Sequence, residues 1–217
     1  MEVTADGPYR VVGDVPLVRT AQVETEYGEP IAWEPDAPVK SPAPPYDLCR
    51  CGLSSRRPFC DATHEREPFD GTEVADRRRY HERAYPYRGG DLTMSDDPGL
   101  CTQAGYCGDR FRNVWAMIAD AADPEIAERI RQMSMLCPSG RLATRPDGAD
   151  AADELDYTPS VGVIRDGPLW VRGGVGVVAA DGTAYEVRNR VTLCRCGHSG
   201  NKPFCDGSHK DVGFREG

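Results

Sequence analysis

The chain has 217 residues and a net charge of −9, which argues against nucleic acid as its main partner because a polyanion requires a basic surface. Hydrophobic residues make up 39% of the chain, and no apolar run approaches the roughly 20 residues that span a bilayer. The first ten residues lack the basic and apolar segments of a signal peptide. We therefore expect a cytoplasmic protein that binds neither nucleic acid nor a membrane.

Three units with different patterns follow one another along the chain. Residues 1–75 and 151–217 read as short strands separated by turns, and each unit ends in a cysteine-rich loop. Residues 76–150 contain two helical patterns, at 110–118 and 123–136. The predicted fold class is α+β, with a β-rich half at each end and a small α+β module between the halves.

The second helical segment has the clearer limits. Asp123 is a good N-cap residue, and Pro124 suits the first helical position. Apolar residues recur on one face of this helix and lead to a cysteine on its buried side. This stripe consists of Ile126, Ile130, Met133 and Cys137.

The two β-rich halves contain an internal repeat. Residues 49–64 read CRCGLSSRRPFCDATH and residues 194–209 read CRCGHSGNKPFCDGSH, an offset of 145. Upstream, residues 6–18 resemble residues 166–178 at an offset of 160, so the first copy carries about fifteen extra residues. We place these extra residues in the Pro-rich segment 36–45, which cannot join a central strand.

The nine cysteines fall into three groups of three. An odd number of thiols in a cytoplasmic chain does not favour a disulfide scaffold, because thiols stay reduced there. Ligation of metal ions or clusters explains triplets better. The groups are Cys49, Cys51 and Cys60, then Cys101, Cys107 and Cys137, and finally Cys194, Cys196 and Cys205.

Each terminal copy offers three thiolates and one imidazole within sixteen residues. Four such donors suit either a tetrahedral zinc ion or a two-iron, two-sulfur cluster. The Cys-x-Cys pair is tighter than the usual zinc-finger pair, but spacing alone leaves zinc open. The donor sets are Cys49, Cys51, Cys60 and His64 in the first copy, and Cys194, Cys196, Cys205 and His209 in the second.

Both copies resemble the CDGSH iron–sulfur family, whose pattern is C-x-C-x2-S/T-x3-P-x-C-D-G-S/A/T-H. The second copy matches throughout, and the first departs only at Ala62, where the pattern has glycine. If that glycine serves an unusual backbone angle, the first loop is strained or reshaped. The resemblance implies a 2Fe–2S cluster at each donor set and two halves that pair as an internal pseudo-dimer within a monomer, in place of two independent modules. It also implies acid-labile clusters, because imidazole is titratable.

The middle cysteines resemble the ligands of single-cluster ferredoxins. Residues 101–107, CTQAGYC, keep the outer cysteines of a four-iron loop and have Ala104 at the central position, while Cys137 precedes a proline like a returning ligand. Cys101, Cys107 and Cys137 therefore suit a 3Fe–4S cluster. The segment is closer still to a divergent mono-cluster family, from which it departs at Gln103 and Arg141. A 4Fe–4S cluster is the alternative, and three structural cysteines without a cluster are the third reading.

The chain contains no Gly-rich nucleotide fingerprint and no hydrolase or protease motif, so we do not expect an enzyme. The resemblances imply an electron carrier between a reductase and a redox enzyme, with two 2Fe–2S clusters and one 3Fe–4S cluster. The alternatives are iron–sulfur cluster storage or transfer, redox sensing, and an accessory subunit of a catalytic partner.

Overall fold

The computed structural model describes residues 1–216, which form a mixed α+β fold in which strands outnumber helices. The helices are short apart from one, and the predicted fold class is correct at this level. Within residues 1–216, no helix combines the length and the apolar character needed to cross a membrane. The helices are α1 (Tyr80–Arg83), α2 (Val114–Met117), α3 (Pro124–Leu136) and α4 (Ser208–Asp211), with 3₁₀ turns at Thr63–Glu65, Pro98–Leu100 and Ile118–Asp120.

The strands form four sheets. The first copy supplies the sheet β1-β2-β7, the middle module supplies β10-β9-β8, and a separate hairpin pairs β4 with β5. The largest sheet, ordered β13-β12-β11-β3-β6, mixes strands of both copies. In chain order the strands are β1 (Glu2–Val3), β2 (Tyr9–Val11), β3 (Leu17–Thr20), β4 (Gln22–Glu24), β5 (Pro30–Trp33), β6 (Ala37–Pro38), β7 (Tyr46–Leu48), β8 (Tyr85–Gly89), β9 (Leu92–Asp96), β10 (Leu142–Pro146), β11 (Ser160–Ile164), β12 (Leu169–Arg172) and β13 (Arg190–Leu193).

The repeat seen in the sequence recurs in the strand registers. Tyr9 of β2 lies opposite Leu48 of β7, and Leu169 of β12 lies opposite Leu193 of β13. These two pairs are related by the same offsets, 160 and 145, that align the sequences. Likewise β1 pairs with β2 as β11 pairs with β12. Each copy therefore builds the same three-stranded antiparallel unit, with its cysteine loop directly after the third strand.

Each copy also pairs with the first strand of the other. β3 of the first copy runs parallel to β11 of the second, with Val18 opposite Gly162. Reciprocally, the Val3 amide donates to the carbonyl of Val178 at 2.8 Å, beside a parallel bridge between Glu2 and Val178. Because these strands bring apolar faces together, buried side chains from both copies form one hydrophobic cluster, which includes Val3, Tyr9, Val11, Leu48, Val161, Leu169, Val171 and Leu193.

The extra residues of the first copy are not where the prolines suggested. The Val39 amide donates to the Leu17 carbonyl at 2.9 Å, as the Tyr185 amide does to Val177. The segment 36–45 therefore has a counterpart in the second copy, and the predicted position of the insertion was wrong. The extra residues form the β4–β5 hairpin, whereas the prolines mark β6, an edge strand where a missing amide donor is tolerated.

The middle module packs α2 and α3 on the sheet β8–β10. As predicted, helix α3 begins after Asp123, whose carboxylate accepts from the Glu125 amide at 2.9 Å, and it ends just before Cys137. Its buried face is slightly rotated from the predicted stripe: Ile130 is fully buried, but Ile126 and Met133 are only half-buried. The core residues of this module are Leu92, Met94, Val114, Met117, Ile118, Ala121, Ala127, Ile130 and Leu142.

The predicted helix at 110–118 forms only in its second half. The Asp109 carboxylate accepts from the amides of Phe111 and Arg112, both at 2.8 Å, which holds this segment in a turn. Asn113 then caps α2 through the Ala116 amide at 2.9 Å. Local side-chain hydrogen bonds thus override the helical pattern before residue 114.

Candidate metal centres

The first terminal site lies in the loop after β7. The sulfurs of Cys49 and Cys51 are 3.8 Å apart, and the sulfur of Cys60 lies 3.5 Å from Nδ1 of His64. Cys49 follows the last residue of the strand, and His64 is held in the 3₁₀ turn Thr63–Glu65. The four predicted donors therefore meet as two pairs.

The second terminal site repeats this geometry. The sulfurs of Cys194 and Cys196 are 3.8 Å apart, and Cys205 lies 3.5 Å from Nδ1 of His209. Here the histidine stands in α4, the counterpart of the first site's 3₁₀ turn. The structure thus places the four predicted donors of each copy in two pairs.

The spacing of the donors bears on what they can hold. Two thiolates on one tetrahedral metal ion, with bonds of about 2.3 Å, lie about 3.8 Å apart, which is the separation within each Cys-x-Cys pair. Among residues 1–216, no three His, Cys, Asp or Glu side chains converge as on a single ion. Two separate donor pairs suit a centre with two metal positions, so the residues fit a two-iron cluster.

The loops are built to hold thiolates. Amides of Leu53 and Ala62 lie 3.5 and 3.4 Å from the sulfurs of Cys51 and Cys60. A hydrogen bond from Cys51, together with neighbouring amides, lowers the pKa of Cys49 to about 6 despite its burial. The corresponding bond from Cys196 lowers the pKa of Cys194 to about 6. The same hydrogen bond, together with burial, raises the pKa of the partner thiols Cys51 and Cys196. One thiol of each pair therefore ionises more readily than the other, and the thiolate is the form that ligates metal.

The unusual backbone angle expected at the family's glycine is present in both loops. Gly207 has φ +94°, and Ala62 at the equivalent position has φ +63°. The first loop is therefore strained and not reshaped, because a residue with a Cβ occupies the left-handed region there. In both loops the residue after this position donates a hydrogen bond from its hydroxyl to the aspartate two residues earlier. Thr63 donates to Asp61 and Ser208 donates to Asp206, each at 2.6 Å.

The two terminal sites differ in exposure. Cys60 and His64 are half-buried, whereas Cys205 and His209 are only 2% and 6% exposed. Burial, with help from the nearby cations Lys210 and Arg195, lowers the pKa of His209 to about 4. The second site's imidazole is therefore neutral over the physiological range, as metal binding requires.

The terminal loops touch each other. A Cβ on Gly52 would lie 2.5 Å from the Cys196 carbonyl oxygen, and a Cβ on Gly197 would meet the Cys51 carbonyl in the same way. Only glycine permits this approach. The phenol of Tyr9, in the first copy, donates to the Cys194 carbonyl at 2.8 Å. Residues of one copy therefore support the cysteine loop of the other.

The middle cysteines come from three different parts of the middle module. Cys101 follows the 3₁₀ turn Pro98–Leu100, Cys107 precedes α2, and Cys137 follows α3. Burial raises the pKa of Cys107, and the neighbouring thiolates of Cys137 and Cys101 raise it further. The three predicted middle ligands therefore lie within electrostatic reach of one another. Gln103, at the position where the family pattern has a histidine, packs its side chain against Gly207.

Two arginines, one partly buried and one fully buried, brace the middle site, and sequence reasoning did not identify their roles. Burial opposes the charge on Arg141, but Asp96 and then Cys101 raise the pKa of the guanidinium above its usual value. Arg190 of β13 is 1% exposed and donates to the Cys137 carbonyl at 2.5 Å. It also donates to the carbonyls of Ser134, Met135 and Leu142 and pairs with Glu154. The residues next to Arg141 and Arg190 in the sequence give no signal of these contacts, because the partners lie far away along the chain.

The β4–β5 hairpin of the first copy forms one wall of the middle site. The Gln22 amide donates to the Ala104 carbonyl at 2.5 Å, and the Tyr106 hydroxyl donates to the Ala32 carbonyl at 2.6 Å. The Trp33 indole donates to the Leu136 carbonyl at 3.0 Å, one residue before Cys137. The insertion thus positions the cysteine loop of the middle module.

The remaining histidines lie outside these donor sets. His198 is exposed, and its Nδ1 lies 2.8 Å from the Cys196 carbonyl. His81 is exposed on α1. Neither joins a donor pair, in agreement with the interpretation of both as surface residues.

The fold and its three cysteine sites define an iron–sulfur protein. Residues 6–65 and 166–210 match the family model described as iron-binding zinc finger, CDGSH type, and residues 87–147 match the model described as divergent 4Fe-4S mono-cluster. The chain therefore contains two CDGSH-type regions that flank a divergent mono-cluster region. Searches of the curated proteins and of the solved structures give no match.

Proposed function

We propose that this protein is a one-electron carrier that passes electrons between a reductase and a redox enzyme and catalyses no reaction of its own. The observation that supports this most directly is the contact between sites: the two terminal loops abut at Gly52 and Gly197, and Gln103 of the middle loop abuts Gly207 of the second site. Three centres held in contact within one body suit electron transfer.

We also propose that the two halves form an internal pseudo-dimer, so that the protein is a monomer. The matched registers of β2–β7 and β12–β13 support this arrangement, as does the reciprocal pairing of β3 with β11 and of Glu2 with Val178. Interleaved strands of this kind are typical of intimate two-fold pairs.

The proposed centres are a 2Fe–2S cluster at each terminal site and a 3Fe–4S cluster at the middle site. Bound clusters of these types supply reversible one-electron redox chemistry. The protein's part is to hold and shield them: Tyr9 supports the second cysteine loop, and Arg190 fixes the carbonyl of Cys137. The middle site has three thiols, and its Gln103 side chain packs against Gly207 of the second terminal loop. Both features favour three protein ligands over four.

Iron and sulfide quantification with electron paramagnetic resonance (EPR) on anaerobically isolated protein tests the proposal. Two 2Fe–2S clusters and one 3Fe–4S cluster give seven irons per chain, and a 4Fe–4S middle cluster gives eight. Four irons would leave the middle cysteines as structural residues. Zinc in place of iron, or a colourless preparation, would overturn the electron-carrier proposal.

Cluster transfer is the second candidate function, because the first site's Cys60 and His64 are half-exposed. Mixing the loaded protein with an apo-ferredoxin separates the two functions. Transfer of iron within minutes favours donation, whereas retention of all clusters favours electron transfer.

A further inference from the structure

The middle loop packs directly on the second terminal site. A Cβ on Gly207 would lie 2.6 Å from Cγ of Gln103, so the two segments are in van der Waals contact. The Asn201 amide donates to the Gly99 carbonyl at 2.8 Å across the same boundary. These contacts place the cysteine loop of residues 101–107 beside the loop that carries Cys205 and His209.

His209 and the middle site also open on one shared cavity. This cavity has a volume of about 320 Å³ and is lined by His209, by Thr102 and Ala104 of the middle loop, and by Pro138, which follows Cys137. His209 itself is only 6% exposed, so its imidazole lies largely beneath the residues around this cavity.

The first terminal site is more exposed. The position equivalent to Gly207 is Ala62, so the first loop carries a Cβ at the point where the second loop meets Gln103. Cys60, Ala62 and His64 are each half-exposed, whereas their counterparts in the second site are buried. Equivalent loops of one repeat therefore face different surroundings.

Contacts between the sites define an order. The first site touches the second through Gly52 and Gly197, and the second touches the middle site through Gly207 and Gln103. Among residues 1–216, these contacts join the second site to both of the others. Its donors are also the more deeply buried of the two terminal sets.

We propose that the two CDGSH sites have different roles: the second is an internal relay that exchanges electrons with the middle site, and the first is the surface port for external redox partners. Gln103 and Gly207 are the positioning residues of the junction. This inference rests on the electron-carrier proposal and deepens it.

The relay step moves a single electron and changes no bond. With clusters bound, an external one-electron oxidant would take an electron at the first site, the second site would then give one electron to the first, and the middle site would give one electron to the second. Each transfer oxidises one centre and reduces its neighbour by the same amount. Reduction from a one-electron donor runs through the same contacts in reverse.

Matched ligand variants at equivalent positions test this order. Cys60→Ser removes a thiolate from the first site and Cys205→Ser removes its counterpart from the second. The measurement is the relaxation rate of the middle centre's EPR signal, with the terminal centres in their paramagnetic, reduced state. We expect Cys205→Ser to abolish the relaxation enhancement and Cys60→Ser to retain most of it.

His64→Cys and His209→Cys provide a second measurement if a serine variant does not fold. Each swap keeps four donors and adds one negative charge, so each lowers the potential of its own centre. We expect only His209→Cys also to lower the midpoint potential of the middle centre in a redox titration. Equal shifts from both swaps, or a shift from His64→Cys alone, would overturn the relay order.

The two proposals fail differently. If the middle cysteines carry no iron, the three-centre carrier and the relay both fail. If three centres are present but the middle centre responds equally to both terminal sites, the carrier survives and the relay is wrong. Rapid oxidation of the second site by a bulky one-electron oxidant in Cys60→Ser protein would likewise refute the port assignment.

Discussion

At the residue scale, Ala62 and Gly207 carry the clearest difference between the copies. Both occupy the left-handed region that favours glycine, and Gly207 faces Gln103, which a Cβ would approach to 2.6 Å. Alanine is accommodated at position 62 in spite of the backbone strain.

Exchanging these two residues gives a stability prediction. Gly207→Ala is expected to lower the free energy of unfolding of the iron-loaded protein by about 1 kcal/mol or more, because of the positive φ and the contact with Gln103. Ala62→Gly relieves a similar strain but increases the entropy of the unfolded chain, so we expect a change within about 1 kcal/mol. Denaturant unfolding measures both, and equal destabilisation by the two variants would contradict this explanation.

The half-exposed His64 gives a prediction about acid. Protonation detaches an imidazole ligand, and protons and water reach His64 more readily than the 6%-exposed His209. On acidification we expect the visible absorbance to bleach in two phases, the first from the first terminal site. His64→Cys is expected to remove the early phase and His209→Cys the late one. A single phase unaffected by His64→Cys would show that exposure does not control lability.

At the element scale, segments far apart in sequence hold the middle site in place. Helix α3 delivers Cys137, the β4–β5 hairpin braces the loop that carries Cys107, and β13 supplies Arg190. Arg190 satisfies carbonyls at the C-terminus of α3, where four backbone acceptors have no partner within the helix. The position of Cys137 thus depends on Arg190 of β13, the strand that leads into the cysteine loop of the second terminal site.

Replacing Arg190 with methionine tests this brace. The change keeps much of the side chain's volume but removes the donor that Arg190 supplies to Glu154 and to the helix-end carbonyls. We expect the free energy of unfolding to fall by at least about 1–3 kcal/mol, the usual cost of leaving a buried acceptor unpaired, and iron to be lost from the middle site first. The matched control is Arg88→Met on exposed β8, which we expect to change stability by less than about 0.5 kcal/mol.

At the scale of the whole molecule, the two copies cannot be separated without exposing strand edges. β3 of the first copy has β11 of the second as a partner, and Val3 of the first copy bonds to Val178. Separated copies would leave these edges and the shared apolar cluster unpaired.

Expression of residues 1–75 alone tests this dependence. We expect no cooperative thermal transition and a tendency to aggregate, in contrast to the cooperative unfolding of the complete chain. Circular dichroism and light scattering provide the measurements. A monomeric fragment with a sharp transition would show that the first copy is an independent domain.

The sequence by itself was sufficient for the features that local spacing encodes. It predicted the two donor sets, the middle cysteines, and the cap and span of α3, and it raised the question of the backbone angle at the position of Ala62. These features depend on residues close in the chain, so their spacing and chemistry can be read without a fold.

The tertiary structure alone decided how these parts are combined. The position of the insertion, the exchange of strands between the copies, the bracing role of Arg190 and the unequal burial of His64 and His209 all arise from contacts between segments distant in sequence. Two loops with nearly the same sequence therefore acquire different surroundings, because burial is a property of the neighbours that pack on a residue and not of the residue itself.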